Sequence, residues 1–218
     1  MEALLVKSLR ESPRRPGRYL LELSDGRDLL VGVAILSDTG ATRVGASLTV
    51  EQVARLEDES VIIGLMDRAM DALARSRRTR SELEMRLRRR EATPAQIRVA
   101  LDRLEASGVL SDEAVAHAEA ASRLRKGEAP ARVRQQLRKK GVAAQRVSEA
   151  VTSALDEARQ EGFDEAGACR AVAEKRARSL STLEPAVAER RLMAYLLRRG
   201  YSGSIVRRVA RDVLRRTE

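Results

Sequence analysis

The stretch LMAYLLRRGY, residues 192–201, has two counterparts in the chain: LEMRLRRREA at residues 83–92 and VRQQLRKKGV at residues 133–142. Each begins with two apolar residues four positions apart, which lie on one face of a helix. A basic cluster follows, and such residues favour the negative C-terminal end of a helix. Two of the three copies then have glycine, which readily adopts the left-handed conformation that ends a helix. An apolar residue recurs five positions after each stretch, at Ile97, Val147 and Val206. The sequence therefore predicts three copies of a helix, a tight basic turn and a second helix.

The copies are unevenly spaced, because Leu87, Leu137 and Leu196 are 50 and 59 residues apart. Repeats of two or three helices that are too small to bury a full core alone stack side by side. The predicted fold is therefore mainly α, with tandem three-helix repeats in an elongated array, preceded by a small N-terminal module that contains β-strands.

Residues 1–60 have a strand-like pattern instead. Turn residues at Pro13–Gly17 and Ser24–Gly26 separate short apolar segments, which predicts two or three antiparallel strands. The run Leu29–Leu36 is typical of a buried strand. Since a hairpin alone is marginally stable, we expect it to pack on a helix, and Thr49 is a suitable N-cap for one.

From about residue 60 the chain has helical periodicity almost throughout. Thr93-Pro94-Ala95-Gln96 predicts a helix start with a capping box, and Gly108 marks the end of that helix. Either Thr79 or Ser81 begins the preceding helix. Asp156–Leu180 is predicted to be a long, charged helical connection to the third copy.

These boundaries predict four parts. They are an N-terminal β-rich module at residues 1–60 and helical repeats at residues 61–113, 114–163 and 164–218.

The net charge of +10 is unevenly distributed along the 218 residues. Residues 1–60 contain eight basic and ten acidic residues, so the rest of the chain has a net charge of +12. This imbalance favours an acidic partner for the helical repeats, either nucleic acid or an acidic protein surface. Aromatic residues are only 2% of the chain, which argues against binding of single strands by base stacking.

The composition offers little catalytic chemistry. One cysteine and one histidine exclude a disulfide framework and a zinc cluster, and no Gly-rich phosphate-binding loop is present. We interpret His117 as a helix-surface residue and Cys169 as a small buried one. Tyr201 is interpreted as a core residue, with an interface position as the alternative. We therefore predict a non-enzymatic, cytoplasmic, monomeric protein without cofactor or metal and with no association with a membrane.

With the three copies aligned, the chain resembles the RecX family of RecA regulators over roughly residues 68–214. The resemblance rests on the ordered set of motifs rather than on any one of them. The motifs are Arg80–Leu83, Leu101–Leu104 and Gly108–Asp112 in the first copy, Lys126–Gly127 with Val133, Leu137 and Lys140–Val142 in the second, and Ala173–Arg176 with Leu192–Ser202 in the third.

The chain departs from the family pattern at three positions. Glu91 stands where the family usually has glycine, and Val109 and Val115 stand where aromatic residues are usual. The resemblance implies a three-module helical protein that binds along the groove of RecA–DNA filaments and restrains the recombinase, ATPase and co-protease activities. Such a protein would act in homologous recombination, DNA repair and the SOS response. The strand-forming N-terminus is similar to an extension of some members, and would serve either as a docking element or as a cap on the first repeat.

The basic turns provide the candidate binding residues. The predicted RecA- or DNA-binding surface consists of Arg86, Arg88, Arg89, Arg90, Arg134, Arg138, Lys139, Lys140, Arg190, Arg191, Arg198, Arg199, Arg207 and Arg208. If these residues form one stripe, it would bind phosphates of single- or double-stranded DNA without reading sequence. An acidic filament surface would suit it equally well, and charged runs are also common on solvated helix faces. Two alternatives are a basic helical-repeat protein that binds DNA independently of RecA and a scaffold that binds only protein.

Overall fold

The computed structural model describes residues 4–13, 15–88 and 92–215. The chain divides into two units, Met1–Leu110 and Ser111–Glu218. The described residues of the first unit form β1 (Leu4–Glu11), β2 (Arg18–Leu23), β3 (Asp28–Gly32), α1 (Val33–Thr39), β4 (Ser47–Leu48), α2 (Val50–Arg75), α3 (Arg80–Leu87) and α4 (Pro94–Ala106). Those of the second form α5 (Asp112–Arg125), α6 (Pro130–Lys139), α7 (Ala144–Gln160), α8 (Glu165–Ala177), α9 (Pro185–Arg198) and α10 (Gly203–Arg215). The predicted class, mainly helical with a small strand module, is confirmed.

The N-terminal strands form one antiparallel sheet in the order β3-β2-β1-β4. Gly26, with φ of 88°, lies in the tight turn between β2 and β3, as the sequence predicts. The predicted strand over Leu29–Leu36 is wrong in its second half. Leu29 and Val31 are buried at the alternate positions of a strand, whereas Leu36 and Thr39 are buried three apart on α1. Periodicity alone does not separate strand from helix in so short an apolar run.

Helix α2 is shared by two hydrophobic cores. It begins at Thr49, where a reciprocal capping box with Gln52 confirms the predicted start. Val53 and Leu56 in its first half pack into the core of the sheet, so the sheet rests on a helix as expected. Its second half, from Ile62 onward, packs with α3 and α4. Residue 60, the predicted end of the N-terminal module, therefore lies inside one continuous helix.

Capping boxes also set the starts of α3 and α4. Thr79, rather than Ser81, is the N-cap of α3 and is fully buried, and its oxygen accepts the backbone N–H of Glu82. Thr93 and Gln96 cap α4 in the same way, with Pro94 at the first helical position, as predicted. Gly108, with φ of 71°, follows the end of α4. Side chains of threonine and glutamine or glutamate thus satisfy backbone N–H groups that a helix start leaves unpaired.

The second unit contains two three-helix clusters. Helices α5, α6 and α7 enclose one core, and α8, α9 and α10 enclose the other. The predicted helical connection over Asp156–Leu180 consists of two helices rather than one, because α7 ends at Gln160 and Gly162 adopts φ of 93°. Asp164 then caps α8 by accepting two backbone N–H groups. Cys169 on α8 is fully buried in the last core, as predicted, so α8 belongs to the third repeat.

The glycine turns of the second and third copies have the predicted conformation. Gly141 and Gly200 have φ of 81° and 89°, and the following residues, Val142 and Tyr201, are buried. The backbone N–H of Tyr201 bonds back to the carbonyl of Leu196, which closes the helix end. In the first copy, Glu91 lies outside the described residues. Of the two other departures from the family pattern, Val115 is buried, as a packing residue would be, whereas Val109 is 49% exposed.

The glycine turn of the third repeat packs directly on the second repeat. A Cβ atom on Gly200 would lie 2.8 Å from the backbone nitrogen of Arg132, in the first turn of α6. The hydroxyl of Tyr201 donates a 2.9 Å hydrogen bond to the carbonyl of Gly127. Burial raises the pKa of the Tyr201 hydroxyl, so it stays protonated as this donor at neutral pH. Tyr201 is thus a core residue with a bonded polar tip, in agreement with the first interpretation.

We predict that Gly200→Ala destabilises the protein more than Gly162→Ala. Both glycines have a left-handed φ, so each alanine variant incurs about 1–2 kcal/mol of backbone strain. Only at Gly200 does the new methyl group meet backbone atoms, which adds roughly 1–3 kcal/mol. Urea unfolding followed by circular dichroism measures both free energies. Equal losses for the two variants would contradict the close packing at Gly200.

Candidate partner-binding surface

The predicted basic surface consists mainly of exposed side chains. Arg89 and Arg90 lie outside the described residues. Arg134 and Lys140 are half-buried. The other ten residues of the set are exposed: Arg86, Arg88, Arg138, Lys139, Arg190, Arg191, Arg198, Arg199, Arg207 and Arg208. Exposure alone does not distinguish a cation that binds a partner from one that is only solvated. We therefore compare which cations of each cluster are already paired with carboxylates of the protein.

In the first cluster, the described charge is partly neutralised. The guanidinium of Arg88 bonds to Glu84 at 2.5 Å, one helical turn earlier, as the spacing predicts. Elsewhere in the same unit, Arg80 contacts both Asp102 and Glu105 at 2.6 Å. These pairs tie α3 to α4, so Asp102 and Glu105 serve the structure of the first unit.

The second cluster contains a structural cation. The ammonium group of Lys140 donates a 2.6 Å hydrogen bond to Glu119 on α5, and Arg123 binds the same carboxylate. Burial would raise the pKa of Glu119, but the hydrogen bonds from Lys140 and Arg123 outweigh it and hold that pKa below its usual range. Arg138 and Lys139 are exposed and, within the described part of the chain, have no carboxylate at ion-pair distance. They are the cations of this turn that remain available to a partner.

The third repeat has the largest unneutralised charge. Residues 175–215, all described, contain eleven basic and three acidic residues, a net charge of +8. Glu184 accepts two backbone N–H groups at the start of α9, and Asp212 pairs with Arg170 on α8. None of the eleven cations forms an ion pair with a described carboxylate. This region therefore carries most of the +10 net charge of the protein as exposed cations.

An arginine–tyrosine–arginine cluster lies within this region. The guanidinium carbons of Arg176 on α8 and Arg199 after α9 lie 5.2 Å and 5.0 Å from the centroid of the Tyr195 ring. Such cation–π contacts stabilise by about 0.5–1 kcal/mol at exposed sites and orient the cation. Sequence reasoning included Arg199 but missed Arg176 and Tyr195. Arg191, Tyr195 and Arg199 are spaced by four, which indicates one helix face, but the contact of Arg176 depends on how α8 packs.

Helix α10 also carries exposed arginines. Val206, Val209 and Val213 are buried, and the exposed residues Arg207, Arg208, Arg211 and Arg215 lie on the rest of the helix. Arg207, Arg211 and Arg215 are spaced by four, so they form a line along the helix. The predicted surface included Arg207 and Arg208 and missed the other two, although their spacing was visible in the sequence.

The two basic turns of the second unit lie near opposite ends of α6. The third turn, at Gly200, lies against Arg132 in the first turn of that helix. Arg138 and Lys139 are in its last turn, roughly 9 Å further along at 1.5 Å per residue. The second and third clusters therefore belong to one folded unit, at opposite ends of a short helix.

The remaining candidates have structural explanations. The ring of His117 lies on a helix surface, as predicted, 3.1 Å from the carboxylate of Glu157. Burial raises the pKa of the Cys169 thiol to about 11, so it is protonated at neutral pH. Among the described residues, no group of three or more His, Cys, Asp or Glu side chains is placed to hold a metal ion. None of the helices described is both long and apolar enough to cross a bilayer.

Known proteins have a similar sequence. Models of the first, second and third three-helix domains of RecX match residues 66–104, 111–151 and 164–210. Regulatory protein RecX of Chlorobaculum tepidum is 30% identical over 158 residues, which cover 72% of this chain and 92% of that protein. Regulatory protein RecX of Pseudomonas fluorescens strain SBW25 is 40% identical over 81 residues, which cover 37% and 52% of the two chains. The chain thus spans about half the length of the Pseudomonas relative.

Two solved structures have a similar fold. A crystal structure of regulatory protein RecX superposes with a TM-score of 0.77 at 20% identity, over 94% of this chain and 98% of that one. RecX from Lactobacillus salivarius gives a TM-score of 0.59, also at 20% identity, over 70% and 96% of the two chains. Three tandem domain matches in the family's order, and a relative matched over nine-tenths of its length, lead to one conclusion: the chain belongs to the RecX family of regulatory proteins.

Proposed function

We propose that this protein is a non-enzymatic regulator that binds RecA and RecA–DNA filaments and inhibits their recombinase, ATPase and co-protease activities. One observation carries the proposal: all three helical domains of the RecX family occur in order along the chain. The partner follows from the family resemblance, since RecX proteins are regulators of RecA. In the cell, the protein would act as a cytoplasmic monomer in recombinational DNA repair and the SOS response.

The distribution of charge supports binding to an acidic assembly. A RecA–DNA filament presents negative charge on its phosphates and protein carboxylates. The third repeat presents the complementary charge, eleven cations that no described carboxylate neutralises. Opposite charges accelerate encounter and orient the partners, with an effect that weakens as salt is added. The exposed Arg138 and Lys139 of the second repeat would extend this surface.

The same charge favours a second candidate function, DNA binding independent of RecA. Eight net positive charges over 41 residues would neutralise several phosphates without any contact to base edges. This alternative differs in one outcome, because an independent DNA-binding protein would not change ATP hydrolysis by RecA at DNA concentrations that saturate both proteins.

We expect the protein to inhibit the single-stranded-DNA-dependent ATPase of RecA at ratios of one protein or fewer per RecA monomer. The reason is that a regulator bound to the filament acts on assembled RecA. The measurement is steady-state ATP hydrolysis at low salt, with excess DNA so that simple competition for DNA is excluded. Unchanged hydrolysis in the presence of folded protein would contradict the proposal.

Charge reversal in the second repeat tests which cations face the partner. Arg138→Glu with Lys139→Glu is expected to weaken inhibition of RecA about tenfold while the free energy of unfolding falls by only about 1 kcal/mol, because both side chains are exposed and unpaired and lose only their interaction with the C-terminal end of the helix. Lys140→Glu is the matched comparison. It places a second carboxylate beside Glu119, so it should destabilise the fold by about 2–4 kcal/mol.

Inhibition titrations and urea unfolding of the same preparations separate the two effects. If the Arg138/Lys139 variant inhibits RecA as strongly as the wild type, the second basic turn is not part of the operative surface.

A further inference from the structure

We infer that the Arg176–Tyr195–Arg199 cluster is a phosphate-binding site through which the third repeat holds the sugar–phosphate backbone of nucleic acid. This site rests on the proposed function, because it names the contact by which the regulator would hold the DNA of a RecA–DNA filament. The phosphate site is tested with DNA in the absence of RecA, so it and the proposed regulation of RecA can fail separately.

The two guanidinium groups are held in place before any ligand arrives. Both contact the same ring, so their central carbons lie no more than 10.2 Å apart, the sum of the two distances to the centroid. Tyr195 is half-buried and packs against the core of the third repeat, so the ring is a fixed support. Arginine that stacks on an aromatic ring keeps the N–H groups at its edge free for hydrogen bonds. Less side-chain freedom is then lost on binding.

Neither guanidinium group is neutralised by a described carboxylate. No described carboxylate lies at ion-pair distance from Arg176 or Arg199. By contrast, Arg80, Arg103 and Arg123, on other repeats, each bind at least one carboxylate at 3.0 Å or less. A pair of ordered arginines with no described carboxylate partner offers the forked donors that bind phosphate oxygens in pairs.

The surroundings favour a polyanion over a protein surface. The cluster lies in the 41-residue segment with a net charge of +8, and Arg191 lies on the same face of α9 as Tyr195. Folded protein surfaces usually intersperse charges of both signs. A nucleic-acid strand presents one negative charge at every nucleotide, which matches a segment in which basic residues outnumber acidic residues eleven to three. A site that holds the strand through its phosphates would not read base sequence. The Tyr195 ring is already engaged by both guanidinium groups and is not offered to a base for stacking.

We expect Arg176→Gln with Arg199→Gln to weaken binding of a fluorescent oligodeoxythymidylate about tenfold or more at low salt. Loss of two single-strand phosphate contacts should also lower the magnitude of the slope of log K against log salt by about 1.4. Fluorescence anisotropy titrations over a range of salt concentrations give both quantities. Tyr195→Leu removes the ring that orients both guanidinium groups and should lose about threefold in affinity with an unchanged slope.

The matched control is Arg125→Gln with Arg159→Gln. It removes the same charge from the same unit, but both side chains are exposed and paired with carboxylates, at 3.1 Å from Glu161 and Asp156. This variant should retain nearly all of the wild-type affinity and slope. Reaction of Cys169 with a thiol reagent before and after addition of urea verifies that every variant is folded, because the thiol is fully buried.

Three results would overturn the inference: folded wild-type protein that does not bind DNA, an Arg176/Arg199 variant with wild-type affinity and slope, or equal losses in that variant and the control. If the Arg176/Arg199 variant binds DNA normally but no longer binds RecA in the absence of DNA, the site takes protein carboxylates, and the proposed function survives. If the predicted DNA-binding losses occur while wild-type protein leaves RecA's ATPase unchanged, the phosphate site stands and the proposed function fails.

Discussion

The close approach of the third basic turn to α6 is the contact on which the binding unit depends. At Gly200 the backbone has a left-handed conformation and leaves no room for a side chain beside the Arg132 backbone nitrogen. The next residue, Tyr201, inserts its ring into the third core and bonds its hydroxyl to Gly127 in the second repeat. One glycine and one tyrosine therefore end α9 and fix it against the preceding repeat. They also set where Arg198 and Arg199 emerge on the surface.

Electrostatics divides the cations of the chain into two kinds. Arg80, Arg103 and Lys140 bind carboxylates on neighbouring helices, and Arg123 binds Glu119 one turn earlier on its own helix, so these charges contribute to the internal order of the first two repeats. The eleven cations of residues 175–215 in the third repeat have no such partners among the described carboxylates. Their mutual repulsion would destabilise an isolated protein slightly and would be relieved when a polyanion binds. A surface whose charge repulsion is higher in the free protein than in a complex is typical of a protein that acts by binding.

Much of this arrangement could be predicted from the sequence, because it is set by local chemistry. The capping residues Thr49 and Thr93 and the turn at Gly200 each depend on side chains within a few positions, and they were found where predicted. The end of β3 at Gly32 was missed, since a short apolar run fits either a strand or a helix. Contacts between helices distant in sequence were also missed. The pairing of Lys140 with Glu119 and the stacking of Arg176 on Tyr195 depend on packing geometry, which residue spacing does not specify.

Site-directed photocrosslinking on an assembled RecA–DNA filament tests the central claim, that the third repeat faces nucleic acid, most directly. A photoreactive residue at Leu197, which is 51% exposed on α9, should crosslink to the DNA strand. The same residue at Val44, which is 63% exposed in the acidic N-terminal module, should not. Crosslinks from position 197 to RecA alone, with none to DNA, would contradict the account.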